Sequence, residues 1–463
     1  MAIITNKQEI VKGIENSLLR DDALDIVESG IGAVLPNTVM NAVQFFPSYG
    51  TLAVNGDVVY HKGDAKGGRI FVIGGGKAFG SMAKRLEEIV GPDNITDGVG
   101  TDTEGCTSLK KIRVVKASHP TPDYAGMAGV KWMMSLKQEH GIGRDDLVLF
   151  LVSGGGSSLM PYPVEGVSLQ DKIAMTTLLI KTYGIGPTNT VRKHLSRIKG
   201  GQLGKYFDPT PVVTLALSDV IGNDRSVIAS GPTYPDPSTF PEAVEILQAS
   251  SKGRVLWKET PESVKQYLLR GKGGEKDAPE TPKALPNCQH YFILGENGTA
   301  LEAMRSRAVD LNYIPRVIST PLSGDPGQAA QGLAKDFLGG KFSDCDAIIA
   351  GGETSVSLPK GHKGIGGRNQ HFALAFLEAM APYEGDWVAA CAGTDGMDYT
   401  TGYAGALVDH NSMENVRQRG LPIKESLAGY DSHPFLKDLG RSLIMTGPTG
   451  TNVCDVVVFL RPT

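Results

Sequence analysis

Residues 147–158 read Leu-Val-Leu-Phe-Leu-Val-Ser-Gly-Gly-Gly-Ser-Ser. A run of apolar residues bounded by turn formers fits a strand buried on both faces, the kind found in a parallel sheet with helices on either side. The strand is expected over Leu147–Ser153. The three glycines then stand at its carboxyl end, where open α/β sheets bind ligands. Successive backbone N–H groups in such a loop form a nest sized for phosphate, and a plain turn seldom needs all three glycines.

The same alternation continues on both sides. A strand over Arg69–Ile73 runs into Gly74-Gly75-Gly76-Lys77-Ala78 and a helix over Ala78–Val90. A strand over Ile112–Ala117, a helix over Tyr124–Glu139 and a strand over Val212–Leu217 follow. Ser168 with Asp171 caps a helix over Leu169–Tyr183. Asn55-Gly56 between two apolar runs marks a hairpin over Leu52–Tyr60. The pattern weakens from Ser250 to Pro286, and Arg270–Pro286 is rich in Lys, Gly, Glu and Pro. Beyond it a second alternating unit has strands over Tyr291–Leu294, Arg316–Thr320, Asp346–Ala350, Trp387–Ala392 and Val453–Leu460, with helices over Thr299–Leu311 and Pro326–Leu338. The expectation is an α/β protein of two domains, 1–269 and 287–463, with 270–286 as a polar linker or excursion, built largely on parallel sheet.

A chain of 463 residues is long for one core, which agrees with two domains. Its formal net charge of −4 gives no basic excess for tracking a nucleic-acid backbone. The apolar runs are strand-length, well short of the roughly 20 residues that cross a bilayer, so no membrane span is expected. Met1–Ile10 lacks the basic, apolar and small-residue succession of a secretory leader, and a cytoplasmic location is the expectation. Cys106, Cys288, Cys345, Cys391 and Cys454 are dispersed and never form a CxxC pair, so they read as small apolar residues rather than disulfide or zinc ligands. The 58 glycines gather in clusters, which marks backbone that turns sharply or approaches a ligand.

Several of these clusters carry charge. Gly75 and Gly76 with Lys77 offer amides and a cation to an anion, although GxGxxG fails because the third glycine falls at Gly80, and Lys77 does not complete a P-loop. Ser153, Gly154, Gly155, Gly156, Ser157 and Ser158 form the second candidate cradle. Asn189–Gly201 reads as a helix ending at Gly200-Gly201, with Arg192, Lys193, Arg197 and Lys199 either site cations or a solvated basic face, and His194 structural. Asp219 and Asp224 follow the strand over Val212–Leu217; Asp219 is a candidate for holding Mg²⁺ or taking a proton, against an ordinary capping role. In the second half Arg368 stands where a helix begins, suited to clamp a carboxylate or phosphate, and Asp395 repeats the strand-end carboxylate. Cations, a metal carboxylate and a base are what phosphoryl transfer requires, whereas a dinucleotide fingerprint and a GxSxG elbow are absent.

The motifs GGGKA, HPTPD, SGGGSS, NTVRKHLSRIKGG, SDVIGND, SGPT, GGET, GGRNQ, GTDG and TGPTGTN occur in that order between Gly74 and Asn452. Together they resemble the glycerate kinase family whose C-terminal part is called the MOFRL domain. That resemblance implies a Rossmann-like N-terminal domain, a second α/β domain of MOFRL type, and an active site in the cleft between them. It also implies transfer of phosphate from ATP, with Mg²⁺, to D-glycerate, giving 2-phosphoglycerate. By position the resemblance implies that Lys77 and Arg368 are the principal catalytic or substrate-holding cations; Asp219 and Asp395 are the candidates for base and metal work, a division the resemblance does not settle, with Asp219 taken as the metal ligand. The glycine loops and Lys199 hold the nucleotide. The implied partners are the small acid and ATP, with room for a homodimer. His371 departs from the acid usual after GGRNQ, and the tail Val456–Thr463 keeps only part of the usual pattern. A nicotinamide-dependent hydroxypyruvate reductase and a non-catalytic sensor are the competing readings.

Overall fold

The computed structural model describes residues 2–13, 17–61, 68–105, 108–248, 251–358 and 361–462. They form two compact units, one of Val39–Leu294 and one of Met1–Thr38 with Gly295–Thr463. The N-terminal helix Ser17–Ala33 therefore belongs with the carboxy-terminal half. Arg20 on that helix is buried and its Nε donates to Asp409 at 2.7 Å, and Thr451 Oγ1 donates to the Val34 carbonyl at 2.6 Å. Residues 270–286, expected as a linker, lie inside the first unit. Glu280 accepts from the Phe240 amide at 3.0 Å, and Lys283 Nζ donates to the Asp236 carbonyl at 2.9 Å. Polar composition concealed these ties.

In the first unit six strands lie in the order Ile112–Lys116, Ile95–Asp102, Ile70–Gly75, Leu147–Val152, Val212–Leu217, His290–Gly295. Numbered by chain position the order is 3-2-1-4-5-6, that of a doubly wound Rossmann sheet. The first five pair in parallel. Every residue of Leu147–Val152 is buried, as its unbroken apolar run requires, with Phe71, Val148, Phe150, Met133 and Phe207 in the shared core. A second core gathers around Leu179, Phe240, Val244 and Leu268, under the helices Leu169–Thr182, Ile185–His194, Phe240–Gln248 and Glu262–Lys272. The expected hairpin is present as Thr51–Val54 paired with Asp57–His61, and Val43–Phe46 adds a third antiparallel strand.

One expected helix is corrected. Asn189–Gly201 is not a single helix: the helix is Ile185–His194, and the chain then leaves it. The Val164 amide donates to the Leu195 carbonyl and the Arg197 amide to the Tyr162 carbonyl, so an extended segment captures residues 195–197 before Gly200-Gly201 opens the next helix.

The second unit also departs from the parallel expectation. Its six strands lie in the order Pro315–Val317, Ala347–Gly352, Asp455–Leu460, Val388–Gly393, Tyr403–Asp409, Leu443–Met445, and among the paired neighbours one pair alone, Pro315–Val317 with Ala347–Gly352, is parallel. The connection from Val388–Gly393 to Tyr403–Asp409 holds no crossover helix, so the strands meet antiparallel. Trp387, Phe376 and Phe459 form its aromatic centre. Cys345, Cys391 and Cys454 are buried, as expected, Cys288 is half-buried, and Cys106 lies outside the described residues. Among the described residues no helix is long and apolar enough to cross a membrane.

Candidate active site

The strand order reverses between Ile70–Gly75 and Leu147–Val152, and the loops after these two strands are the Lys77 loop and the triple-glycine loop. A crevice opens at such a switch point in doubly wound sheets. Here the two loops are laced together. The Lys77 amide donates to the Gly154 carbonyl at 2.9 Å, the Ala78 amide to Ser153 Oγ at 3.0 Å, and the Gly76 amide to the Thr101 carbonyl at 3.1 Å. Gly75, Gly76, Ser153, Gly154 and Gly156 are buried in this junction, whereas Lys77, Gly155, Ser157 and Ser158 are half-buried. Gly155 has φ 83°, and a Cβ there would lie 3.2 Å from Lys77 Cγ and 3.1 Å from His119 Cδ2, so glycine serves both backbone and neighbours.

Ser157 and Ser158 line a cavity of about 240 Å³ with Lys172, Arg192 and Lys199. Arg192 Nη2 donates to Ser157 Oγ at 3.1 Å, Lys172 Nζ to the Leu195 carbonyl at 2.8 Å, and Lys199 Nζ to the Met160 carbonyl at 3.2 Å. Burial lowers Lys172 to about 7, with Arg192 adding to the effect, and brings Arg192 to about 10 against the opposing pull of Asp219. Lys199 is held well below the ordinary lysine value by burial and then by Lys172 and Arg192. The structure thus gathers the Ser157–Ser158 loop and Lys199 at one cavity with Lys172 and Arg192, and Asp219 lies within electrostatic reach of Arg192 without lining it. His194, by contrast, is tied to Glu280 and the Thr190 carbonyl, a structural role.

In the second unit Arg368 opens the helix Arg368–Ala379. Its Nε and Nη2 meet the two oxygens of Asp455 at 2.6 and 3.0 Å, and its Nη1 donates to Glu353 at 2.6 Å. Asp395 lies near enough to favour its charge further. One N–H on each of Nη1 and Nη2 stays unengaged among the described residues, from the five a guanidinium carries. Burial pushes the Asp455 carboxyl up to about 7, against the lowering effect of Arg368. His371 is buried and stacks on Tyr430 at 5.0 Å, with burial lowering its pKa and Asp325 opposing.

The two helices that follow the charged glycine loops share a device that the sequence conceals. Neither Ala78 nor Gly367, at their N-caps, supplies a capping side chain. A buried aspartate from elsewhere does so. Asp102, at the end of the neighbouring strand, accepts from the Gly80 amide at 2.7 Å. Asp398 accepts from the Asn369 and Gln370 amides at 3.0 and 2.8 Å. A Cβ on Gly367 would strike the Asp398 carboxyl, which is why glycine precedes Arg368.

Burial pushes Asp398 up to about 6, against those two amides. Its folded value lies above that of the unfolded chain, so its contribution to stability is complete below about pH 4 and is lost as pH rises through about 6. Asp398→Asn is therefore expected to be most destabilised, relative to the parent, in acid. Urea unfolding should show the gap narrowing by about 1–2 kcal/mol between about pH 5 and about pH 8. A gap that widens with pH would contradict the assignment.

Sequence reasoning missed Lys172, Asp102, Asp398 and Asp455. Lys172 left a signal, because it stands in phase with Leu169, Met175 and Leu179 on the buried stripe of its helix. The aspartates left none, since each acts on a helix distant in sequence.

Residues 22–269 match the family model described as Domain of unknown function (DUF4147), and residues 346–455 match the MOFRL family. The chain is 36% identical over 451 residues to Glycerate 2-kinase of Pyrococcus horikoshii, covering 95% of this chain and 97% of that protein. It is also 36% identical over 400 residues to a protein of Agrobacterium vitis provisionally named hydroxypyruvate reductase, covering 85% of this chain and 87% of that one. The crystal structure of Glycerate kinase from Thermotoga maritima superposes with a TM-score of 0.78 at 34% identity, over 95% of this chain and 99% of that one. With its Rossmann strand order and its MOFRL region, the chain belongs to the glycerate kinase family.

Proposed function

We propose that the chain transfers the γ-phosphate of ATP to D-glycerate and releases 2-phosphoglycerate. The names of its relatives support this reading. The observation that carries it is the lacing of the Lys77 and Ser153–Ser158 loops at the switch point, beside a cavity lined by buried cations. Phosphoryl transfer asks a protein mainly for positioning and for charge that matches the transferred group. Lys77 supplies that charge from the first loop. The Ser153–Ser158 loop and Lys199 seat the nucleotide phosphates. Arg368, fixed by Asp455 and Glu353, turns its two unengaged N–H groups to the carboxylate of the acid. Asp395 accepts the proton that leaves the attacking hydroxyl.

Mg²⁺ is held in such enzymes by one or two carboxylates together with phosphate oxygens and water. Among the described residues no group of three or more His, Cys, Asp or Glu side chains forms a metal cage. Asp219, at a strand end and within electrostatic reach of Arg192, supplies a carboxylate of the kind Mg²⁺ takes, so the residues fit the ion. When bound, the ion neutralises phosphate charge.

A dinucleotide-dependent reductase would use the acid at the end of the second strand for the ribose hydroxyl. Asp102 occupies that position, but it is 4% exposed and its oxygens accept from the Gly80 and Glu104 amides. It faces the helix rather than a cofactor, which weighs against the reductase. Phosphorus NMR of the chain with ATP, Mg²⁺ and D-glycerate is expected to show 2-phosphoglycerate growing as the γ-phosphate declines. ATP loss without that signal, or NADH oxidation by hydroxypyruvate in its place, would overturn the proposal.

A further inference from the structure

Among the described residues the deeply buried lysines and arginines fall into two classes. Arg20 and Lys193, 3% and 4% exposed, are paired with Asp409 and Asp236. Lys172 and Lys199, 6% and 1% exposed, are not: among the described residues neither they nor Arg192 reach a carboxylate at salt-bridge distance. A cation removed from water without a counter-charge costs several kcal/mol. The fold meets that cost at a cavity wall, where both lysines and Arg192 face the same space and burial lowers the lysines' hold on their protons.

We propose that this cavity is a binding site for a phosphate group, seated against Lys172, Arg192 and Lys199 with Ser158 as a further donor. A phosphomonoester carries close to two negative charges at neutral pH, whereas a carboxylate carries one and would leave most of the wall's charge unbalanced. The volume of about 240 Å³ falls below the roughly 300–1,000 Å³ of sites that enclose a whole drug-sized ligand, so the cavity takes the phosphate and leaves the remainder of the molecule outside. The kinase reading, on which this point alone rests, names the nucleotide as the source of that phosphate, and the phosphorylated acid is the other outcome of the test.

Binding here is coupled to protons. In the ligand-free chain Lys172 sits at about 7 and Lys199 well below its ordinary value. The charges facing them are Arg192, Asp219 acting through Arg192, and Lys181 at the rim. Lys193 and His194, on the same helix as Arg192, turn to Asp236 and Glu280. A dianion favours the charged lysines, so at a pH above about 7 its arrival draws a proton from solvent, and affinity falls as pH rises.

The test is calorimetry of the full chain with ATP and, separately, with 2-phosphoglycerate, in two buffers of different ionisation enthalpy. At about pH 8 a phosphomonoester, with pKa about 6, is already dianionic, so any uptake belongs to the protein. The ligand whose phosphate fills the cavity is expected to bind with uptake of about one proton or more, and Lys172→Met to lower that uptake and weaken binding about tenfold or more. Should Lys172→Met not fold, Lys199→Met carries the same comparison. Proton-neutral binding of both ligands, or uptake unchanged in the variant, overturns the proposal. Product in the NMR assay without proton uptake refutes the cavity and leaves the kinase standing; proton-coupled binding without product does the reverse.

Discussion

Lys77→Ala is expected to lower turnover of D-glycerate by about 10²–10³-fold, the cost of removing one fixed donor from a developing charge, while the melting temperature stays within about 2 °C of the parent. The two effects separate because Lys77 joins the site in two ways. Its backbone N–H holds the Gly154 carbonyl at 2.9 Å, and alanine keeps that bond. Its side chain, half-buried beside Gly155, carries the ammonium that alanine removes. Lys77→Arg should recover part of the rate, since it restores the charge with a different shape. Coupled measurement of ADP release and a thermal melt check both halves. Parent-like kcat/KM in Lys77→Ala would remove the residue from the chemistry, and a collapse of the melting temperature would make its role structural.

What could be read from the sequence follows from where the information lies. The strand Leu147–Val152 and the helix Pro326–Leu338 were legible because their signals are local: an unbroken apolar run in one, Asp325 capping Gln328 in the other. The loops bearing Lys77, Ser157 and Arg368 were legible for the same reason, as glycine clusters at element ends. Asn189–Gly201 was misread because the segment that unwinds it, around Tyr162 and Val164, is distant in sequence. The second sheet was read as parallel because alternation alone does not specify direction, and Tyr403–Asp409 and Leu443–Met445 were missed altogether. Asp102 and Asp398 were invisible as caps, since no local pattern marks a carboxylate that serves another element's amides. Arg368 could be placed at a helix start. That its charge is held by Asp455 could not, because Asp455 begins the last strand of its sheet.

That hidden pairing changes what Arg368→Ala should do. A residue read from sequence as a substrate clamp would lose activity and leave the fold intact. Arg368 instead shields a carboxylate whose side chain is 6% exposed, and removing one partner of a buried pair costs at most about 3–5 kcal/mol. Asp455 can limit the loss by taking a proton. Its folded value, about 7 with Arg368 present, already lies above that of the unfolded chain, so its ionised form destabilises the fold and its contribution declines as pH rises through that value. Without the guanidinium the folded value climbs further, and the decline continues to higher pH. Arg368→Ala is therefore expected to cost about 1–2 kcal/mol more at about pH 8 than at about pH 6, in urea unfolding followed at both. Asp455→Asn added to Arg368→Ala should remove the pH-dependent part and recover stability, because no buried charge then lacks a partner. Turnover should stay about 10²–10³-fold down in both variants, since the two N–H groups proposed to clamp the substrate are gone in each. Recovery of activity in the double variant would mean that Arg368 serves the fold alone, and a destabilisation equal at both pH values would mean that Asp455 is not the group it shields.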